Sequence, residues 1–250
     1  MKILSWDVGI INLSYCILEY NTEDKNVCIN NWGIINLIDN PEMKKNMNLV
    51  FENIPKKLNE YDFLLNVDAV VIENQPSLKN PKMKSIQMIV YSYFLMYGKV
   101  LNQSENKIQF IDFCNASNKL KVYKGPKISL EDLKKKKKKI DNNSSIKNYL
   151  EKEEKEEKEE KEEKEKKEEN EENEKDNLIV QDQDIEIKDK KSNKLSYSDK
   201  KKMAVEHVKY FLNQNNDIEN LNFFNNHKKK DDLADSYLQG LYIIKTKYEK

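Results

Sequence analysis

A mixed sheet of five strands with helices on both faces is the α/β fold class that this sequence predicts, and three observations predict it. Short runs rich in Ile, Val, Leu, Tyr and Trp open the chain at residues 2–8, 13–19 and 27–37. Their connections are so short that antiparallel neighbours are favoured. Two later runs, 67–73 and 108–113, are continuously apolar, as in strands buried on both faces. Segments with helical spacing separate and follow these runs, so the sheet is expected to be covered on either side.

The elements follow in order. Gly9 with Asn12 separates the first two strands, and a polar stretch at 21–26 separates the second from the third. Residues 43–58 carry Met43, Met47, Val50, Ile54 and Leu58 along one side of a helix, with Pro55 expected to break or kink its end. After the run ending in Glu73, Asn80 can cap a helix whose first position is Pro81; its apolar pattern reaches Tyr97, and Gly98 reads as a stop. On that helix Ile86, Val90, Tyr93 and Tyr97 form one apolar stripe, while Met88, Tyr91 and Leu95 form a second on another side. Helices are expected again at 199–213 and 229–247.

The charge pattern divides the chain. Formal net charge is zero, but residues 151–176 hold 16 acidic residues against 8 Lys, and residues 134–139 are all Lys. Neither stretch can bury enough apolar surface to offset its ordering entropy. The expected organisation is a folded part at 1–128, a low-complexity charged insertion at 129–194, and a return to the fold at 195–250. The Glu/Lys repeat of the insertion has period three, which drifts around a helix of 3.6 residues per turn. A solvated single helix or disorder fits it, and a coiled coil does not. Cys16, Cys28 and Cys114 lack CxxC spacing and stand apart from His207 and His227, so the sequence predicts no zinc site and thiols that serve as small core residues in a reducing compartment. No apolar stretch reaches 18 residues, and a strand-like run from Lys2 leaves no room for a presequence. The expectation is no membrane partner and a nuclear or cytoplasmic location.

The chemistry is expected in the acidic residues. Asp7 ends the first strand and Glu73 the fourth. If those strands are neighbours, their carboxylates converge at one sheet edge. Asp232 and Asp235 lie three apart on one helix face, and Asp231 is within reach of Asp235 by its four-residue spacing. Carboxylates about 4 Å apart repel by roughly 4 kcal/mol per pair at an effective dielectric of 20, so convergence implies divalent cations or raised pKa values. The chain contains no Arg to meet them. Oxygen-only ligands select hard ions, Mg²⁺ or Mn²⁺, and two such ions would suit hydrolysis of a phosphodiester. Each acidic residue alone reads more readily as a turn, a strand exit or a helix start; the joint order of strand Asp, strand Glu and helical Asp pair is what points to a site. Lysines flank these elements: Lys79, Lys82 and Lys84 after Glu73, Lys119, Lys121 and Lys124 after the fifth strand, and Lys228, Lys229 and Lys230 before the Asp pair. That is where a DNA backbone would have to lie.

Four stretches carry a resemblance: WDVGIINLSYCIL, VIENQPSLKNPKMKSIQMIVYSYF, SNKLKVYKGPKI and HKKKDDLADSYLQGLYII. Together they resemble the poxvirus-type and fungal mitochondrial branch of the RuvC-like Holliday junction resolvases, over all of the chain but the insertion. The resemblance implies an RNase H-like fold, a homodimer, and Mg²⁺-dependent symmetric nicking of four-way DNA junctions. It implies that Asp7, Glu73, Asp232 and Asp235 hold the metals and that Lys119 stands near the scissile phosphate, with Lys121, two residues on, as the other choice for that lysine. Two other readings compete: a non-catalytic junction-binding protein of the same fold, and an actin-like or sugar-kinase-like ATPase suggested by DVGIIN. The second would need another Gly-rich phosphate loop and a duplicated domain, and the chain has five Gly.

Overall fold

The computed structural model describes residues 1–78, 80–102, 108–126, 128 and 196–248. The described elements belong to one compact unit, Met1–Lys127 with Ser196–Lys250; a second unit, Ile128–Leu195, lies almost wholly outside the described residues, and with it the expected charged insertion. The five strands are β1 (Lys2–Val8), β2 (Asn12–Tyr20), β3 (Val27–Asn36), β4 (Ala69–Asn74) and β5 (Phe110–Asn115). Their order across the sheet is β3-β2-β1-β4-β5. β1, β2 and β3 are antiparallel neighbours, as their short connections dictate, while β4 runs parallel to β1 and β5 parallel to β4. This order and these directions make the fold RNase H-like.

Helices cover both faces. Leu4, Trp6, Val8, Val70 and Ile72 point to one side, where they meet α1 (Met47–Leu58) and α2 (Pro81–Tyr93) through Ile54, Leu58, Ile86 and Val90. The alternate residues Ile3, Cys16, Leu18 and Val71 point to the other, where they meet α3 (Tyr197–Gln214), α4 (Ile218–Asn226) and α5 (Lys230–Lys247) through Val208, Leu212, Phe224, Leu238 and Leu241. Each such aliphatic side chain, once buried, contributes about 1.5–3 kcal/mol.

Several local expectations are corrected. α1 begins at Met47, Met43 lying in a separate 3₁₀ turn (Pro41–Lys44), and it runs on through Pro55 to Leu58. Gly98 does not stop the second helix: α2 passes at Phe94 into a π-helical segment, Phe94–Val100, and Gly98 is a packing position, where a Cβ would collide with the side chain of Ile108. Tyr97 is 46% exposed and so is not part of the sheet-facing stripe; the change to π geometry turns it away from the phase of Ile86, Val90 and Tyr93. α4 was not anticipated. Cys16 and Cys114 are buried as expected, but Cys28 is exposed on β3, the edge strand.

Candidate active site

Strand parity sets the first two carboxylates. Asp7 shares the face of Ile3 and Ser5, and Glu73 that of Val71, because side chains alternate. β1 and β4 are adjacent and in register from Ile3↔Ala69 to Trp6↔Ile72, so Asp7 and Glu73 follow next to one another at the carboxyl ends of the two central strands. Both face α5.

α5 brings the other pair. Gln239 Nε2 donates to Ser5 Oγ at 3.1 Å and to the Trp6 carbonyl at 3.1 Å, which fixes the helix above the seam between β1 and β4. Gly240 lets it come close: a Cβ there would lie 3.0 Å from Leu18 Cδ1 and 3.1 Å from Ser5 Cβ. Ser236 Oγ meets Ser14 Oγ at 3.0 Å, and Trp32 Nε1 donates to the Leu233 carbonyl at 3.1 Å. One turn towards the amino end, Asp235 and Asp232 lie on the face of Gln239.

Three of the four carboxylates surround an ammonium. Lys119 Nζ lies 2.8 Å from Asp7 Oδ1, 2.9 Å from Glu73 Oε1 and 3.1 Å from Asp235 Oδ2. The residue is 4% exposed. It sits in a 3₁₀ segment, Ala116–Val122, immediately after β5; Lys121, exposed, bonds to Asn118 instead. Among the two lysines the sequence left open, Lys119 is therefore the one at the carboxylates. Neither is on a strand.

Burial pushes the Glu73 carboxyl up to about 8, with the charge of Asp7 adding to the effect and Lys119 opposing it. Burial likewise raises Asp235 to about 6, and raises Asp232 to about 6 with help from Asp231 and Asp7. Burial works against the Lys119 ammonium, yet Asp7, Asp235 and Glu73 outweigh it and hold its pKa well above the ordinary range. Burial is thus the chief reason that these carboxyl values are raised, and repulsion from Asp7 adds to it at all three groups.

Two residues that the sequence reading missed complete the surroundings. Lys201 Nζ pairs with Asp231 Oδ2 at 2.6 Å, which keeps Asp231 below the usual carboxylate range against its burial and turns it away from the Lys119 cluster as a separate pair. Lys201 also lowers the pKa of Asp232 and Asp235, and lies 5.3 Å from the ring of Tyr197. Helical phase was the available signal: Lys201 shares a face with the buried Ala204 and Val208. Gln75 Nε2 donates to Glu73 Oε2 at 2.7 Å. It lies two residues beyond Glu73, a spacing that in an extended chain returns to the same face.

The expected DNA-contacting lysines divide. Lys82, Lys121, Lys124, Lys228 and Lys229 are exposed, and Lys230 is half-buried; Lys229 also bears electrostatically on Asp232. Lys84 is turned towards the end of β4, with Nζ 3.2 Å from both Asn74 Oδ1 and Gln87 Oε1. Lys79 lies outside the described residues.

The carboxylate set is chemically that of a hard-cation site, since its donors are all oxygen. Among the described residues, however, no three His, Cys, Asp or Glu side chains stand so as to hold a metal ion; Asp7, Glu73 and Asp235 meet Lys119 instead. Among them, too, no helix is long and apolar enough to cross a membrane.

An RNase H-like sheet with carboxylates at the ends of its two central strands and on the last helix is the class of protein that fold and site define. No family model matches the chain. An uncharacterised protein of Acanthamoeba polyphaga mimivirus is 29% identical over 188 residues, covering 75% of this chain and 31% of that protein, so the chain spans under a third of that relative's length. Among solved structures, the chain is similar to the fowlpox virus resolvase in complex with its Holliday junction substrate DNA, with TM-score 0.48 and 17% identity over 98% of this chain and 97% of that one. It is similar also to the yeast mitochondrial Holliday junction resolvase, with TM-score 0.45 and 19% identity over 96% and 77% of the two chains. The Thermus thermophilus RuvC structure gives TM-score 0.37 and 11% identity over 53% and 75%.

Proposed function

We propose that this chain is a structure-specific DNA endonuclease that resolves four-way junctions by metal-dependent hydrolysis, cutting as a homodimer with paired symmetric nicks. The observation that carries the reading is the convergence of Asp7, Glu73 and Asp235 on Lys119, with Asp232 beside them, from segments more than 200 residues apart. The four motif stretches of the sequence, which contain these residues, support the same reading.

Asp7, Glu73, Asp232 and Asp235 would hold two cations, Mg²⁺ or Mn²⁺. When bound, such ions activate a water and stabilise the leaving oxygen of a phosphodiester. The chain's own groups do the rest. The negative charge of the carboxylates would draw cations to this point, and Lys119, standing among them, would supply a positive charge for a phosphate oxygen. Lys82, Lys121, Lys124, Lys228, Lys229 and Lys230, with Lys79 and Lys84, supply the backbone contacts. Two-fold symmetry of the substrate matches a C2 dimer with two sites. Met88, 41% exposed on α2, with the half-buried Tyr91 and Leu95, is the surface for that contact.

One observation favours a second reading. Lys119 already gives the carboxylates a positive partner, as a junction-binding protein without turnover would require. Cleavage of a labelled four-way junction beside a linear duplex of the same arms, with Mg²⁺ and with chelator, separates the two. Mg²⁺-dependent nicks confined to the junction support the nuclease; tight junction binding with no nicks in Mg²⁺ or Mn²⁺ supports the binding protein.

A further inference from the structure

Gln87 lies on the sheet-facing side of α2 beside Ile86 and Val90, and is wholly buried. Its Oε1 accepts the backbone N–H of Gln75 at 2.8 Å and Lys84 Nζ at 3.2 Å. Its Nε2 finds no partner among the described residues. A buried donor left unmet costs about 1–3 kcal/mol, and a Met at this position would remove the unmet Nε2 only by leaving the buried N–H of Gln75 without its acceptor. What the amide provides is an acceptor at a defined point. Turning it over would set its NH₂ against two donors, so its orientation is determined.

The consequence reaches the site in two steps. The bond from Gln87 holds the backbone of Gln75, a residue just past the end of β4. Gln75 Nε2 then donates to Glu73 Oε2 at 2.7 Å and to the Val8 carbonyl at 3.4 Å. Lys119 holds the other Glu73 oxygen at 2.9 Å. The carboxylate is gripped at both oxygens, once by the 3₁₀ segment after β5 and once, through Gln75, by α2.

We propose that Gln87 is a positioning residue for Glu73: through Gln75 it sets the direction in which this carboxylate presents its lone pairs to a divalent cation. The proposal rests on the nuclease reading above. It makes α2, the helix whose outer side carries Met88, the support of the site's fourth-strand ligand.

Gln87→Met keeps the volume and removes the acceptor, whereas Gln87→Glu keeps an acceptor oxygen in place. Three readouts are taken on the full chain. They are the ¹³C signal of the Glu73 carboxyl carbon in metal-free protein, identified by its loss in Glu73→Gln; Mn²⁺ affinity by calorimetry without DNA; and the single-turnover nicking rate on a four-way junction at saturating protein. In Gln87→Met the Glu73 signal is expected to move, Mn²⁺ binding to weaken by about 10–100-fold and nicking to slow by a similar factor. Its melting temperature stays near that of wild type, because one unmet buried donor, Gln87 Nε2, is exchanged for another, the Gln75 N–H, and Gln87→Glu brings the Mn²⁺ affinity back to within about threefold. A Glu73 signal unmoved in Gln87→Met overturns the proposal, and so does a loss of Mn²⁺ affinity that Gln87→Glu fails to restore. If Gln87→Met does not fold, Gln75→Met is read by the same criteria. A wild-type chain that neither binds Mn²⁺ nor nicks would overturn the nuclease reading and with it the cation-directed role. That failure is distinguishable, because the Glu73 signal would still move in Gln87→Met.

Discussion

Lys119 is held by three carboxylates, and removing either kind of partner has opposite consequences. Lys119→Met leaves Asp7, Glu73 and Asp235 buried without a cation, which should cost on the order of 3–5 kcal/mol and lower the melting temperature in chelator, with part of the loss recovered on adding Mg²⁺. An unchanged melting curve would contradict the geometry. Asp7→Asn relieves repulsion while leaving two carboxylates on Lys119, so the melting temperature in chelator should hold or rise by up to about 3 °C. The same variant should bind junctions normally and lose nicking by more than about 100-fold; retained nicking would remove Asp7 from the chemistry. The placement of Asp7 and Glu73 at strand ends, and of Asp232 and Asp235 on one helix face, was legible in the sequence because strand ends and a three-residue helical spacing announce themselves. The choice of Lys119 over Lys121 was not legible, since a strand would have put both on one face and only the 3₁₀ turn separates them.

A second residue carries a pH prediction. His207 is 2% exposed, its ring stacked on Tyr123 at 3.8 Å, and burial lowers its pKa to about 4. Between the ordinary value of 6.5 and about 4, the unfolded chain binds a proton that the folded chain refuses. Stability therefore falls as pH falls through that window, by at most about 3 kcal/mol. Denaturant melts of wild type and His207→Gln at pH 7 and pH 4.5 should show a smaller drop in the variant; equal drops would mean that the imidazole titrates normally in the fold.

At the scale of the element, α5 is the part on which the site turns. It is placed by Gln239 and by the close approach at Gly240, so Gly240→Ala must push the helix outward by a few tenths of an ångström or displace Leu18. Such overpacking should cost about 1–3 kcal/mol. Because Asp232 and Asp235 ride on the same helix, nicking should fall further than stability explains, measured at a temperature where the variant is fully folded. Wild-type rates there would mean that the carboxylates tolerate the shift. The helix itself was plain from its spacing, whereas its docking was not: Ser5, Ser14, Ser236 and Gln239 are polar residues that sequence places at a surface, and each is buried because it bonds across the interface. Likewise α4 was hidden by its polar composition, and Gly98 looked like a helix stop because the close packing of Ile108 against it joins segments that sequence order alone does not relate.

Across the whole molecule, the five strands, the directions of the first three and the coverage of both faces were readable from hydrophobic pattern and connection length. The order that puts β1 between β2 and β4 was not, since it depends on which buried strand pairs with which; the resemblance alone implied it. Two predictions belong to this scale. Replacing residues 131–194 with a short Gly/Ser linker should leave the melting temperature near that of the full chain and nicking within about tenfold, a change of no more than roughly 1.4 kcal/mol in transition-state stabilisation. Insoluble protein, or nicking abolished, would make that segment structural. Leu95→Glu should turn a sedimenting dimer into a monomer and replace paired cuts by single ones; a wild-type monomer at micromolar concentration that still resolves junctions by paired cuts would disprove the dimer.

The position of α5 in the chain also governs when the site can first exist. Asp7, Glu73 and Lys119 emerge early from a ribosome, but Asp232 and Asp235, and the helix that closes the second face of the sheet, are made more than 100 residues later. Until then the cluster is incomplete. On the proposed function, a nascent chain, or one cut short by a premature stop before α5, therefore lacks the two helical carboxylates and has no complete centre for cleavage.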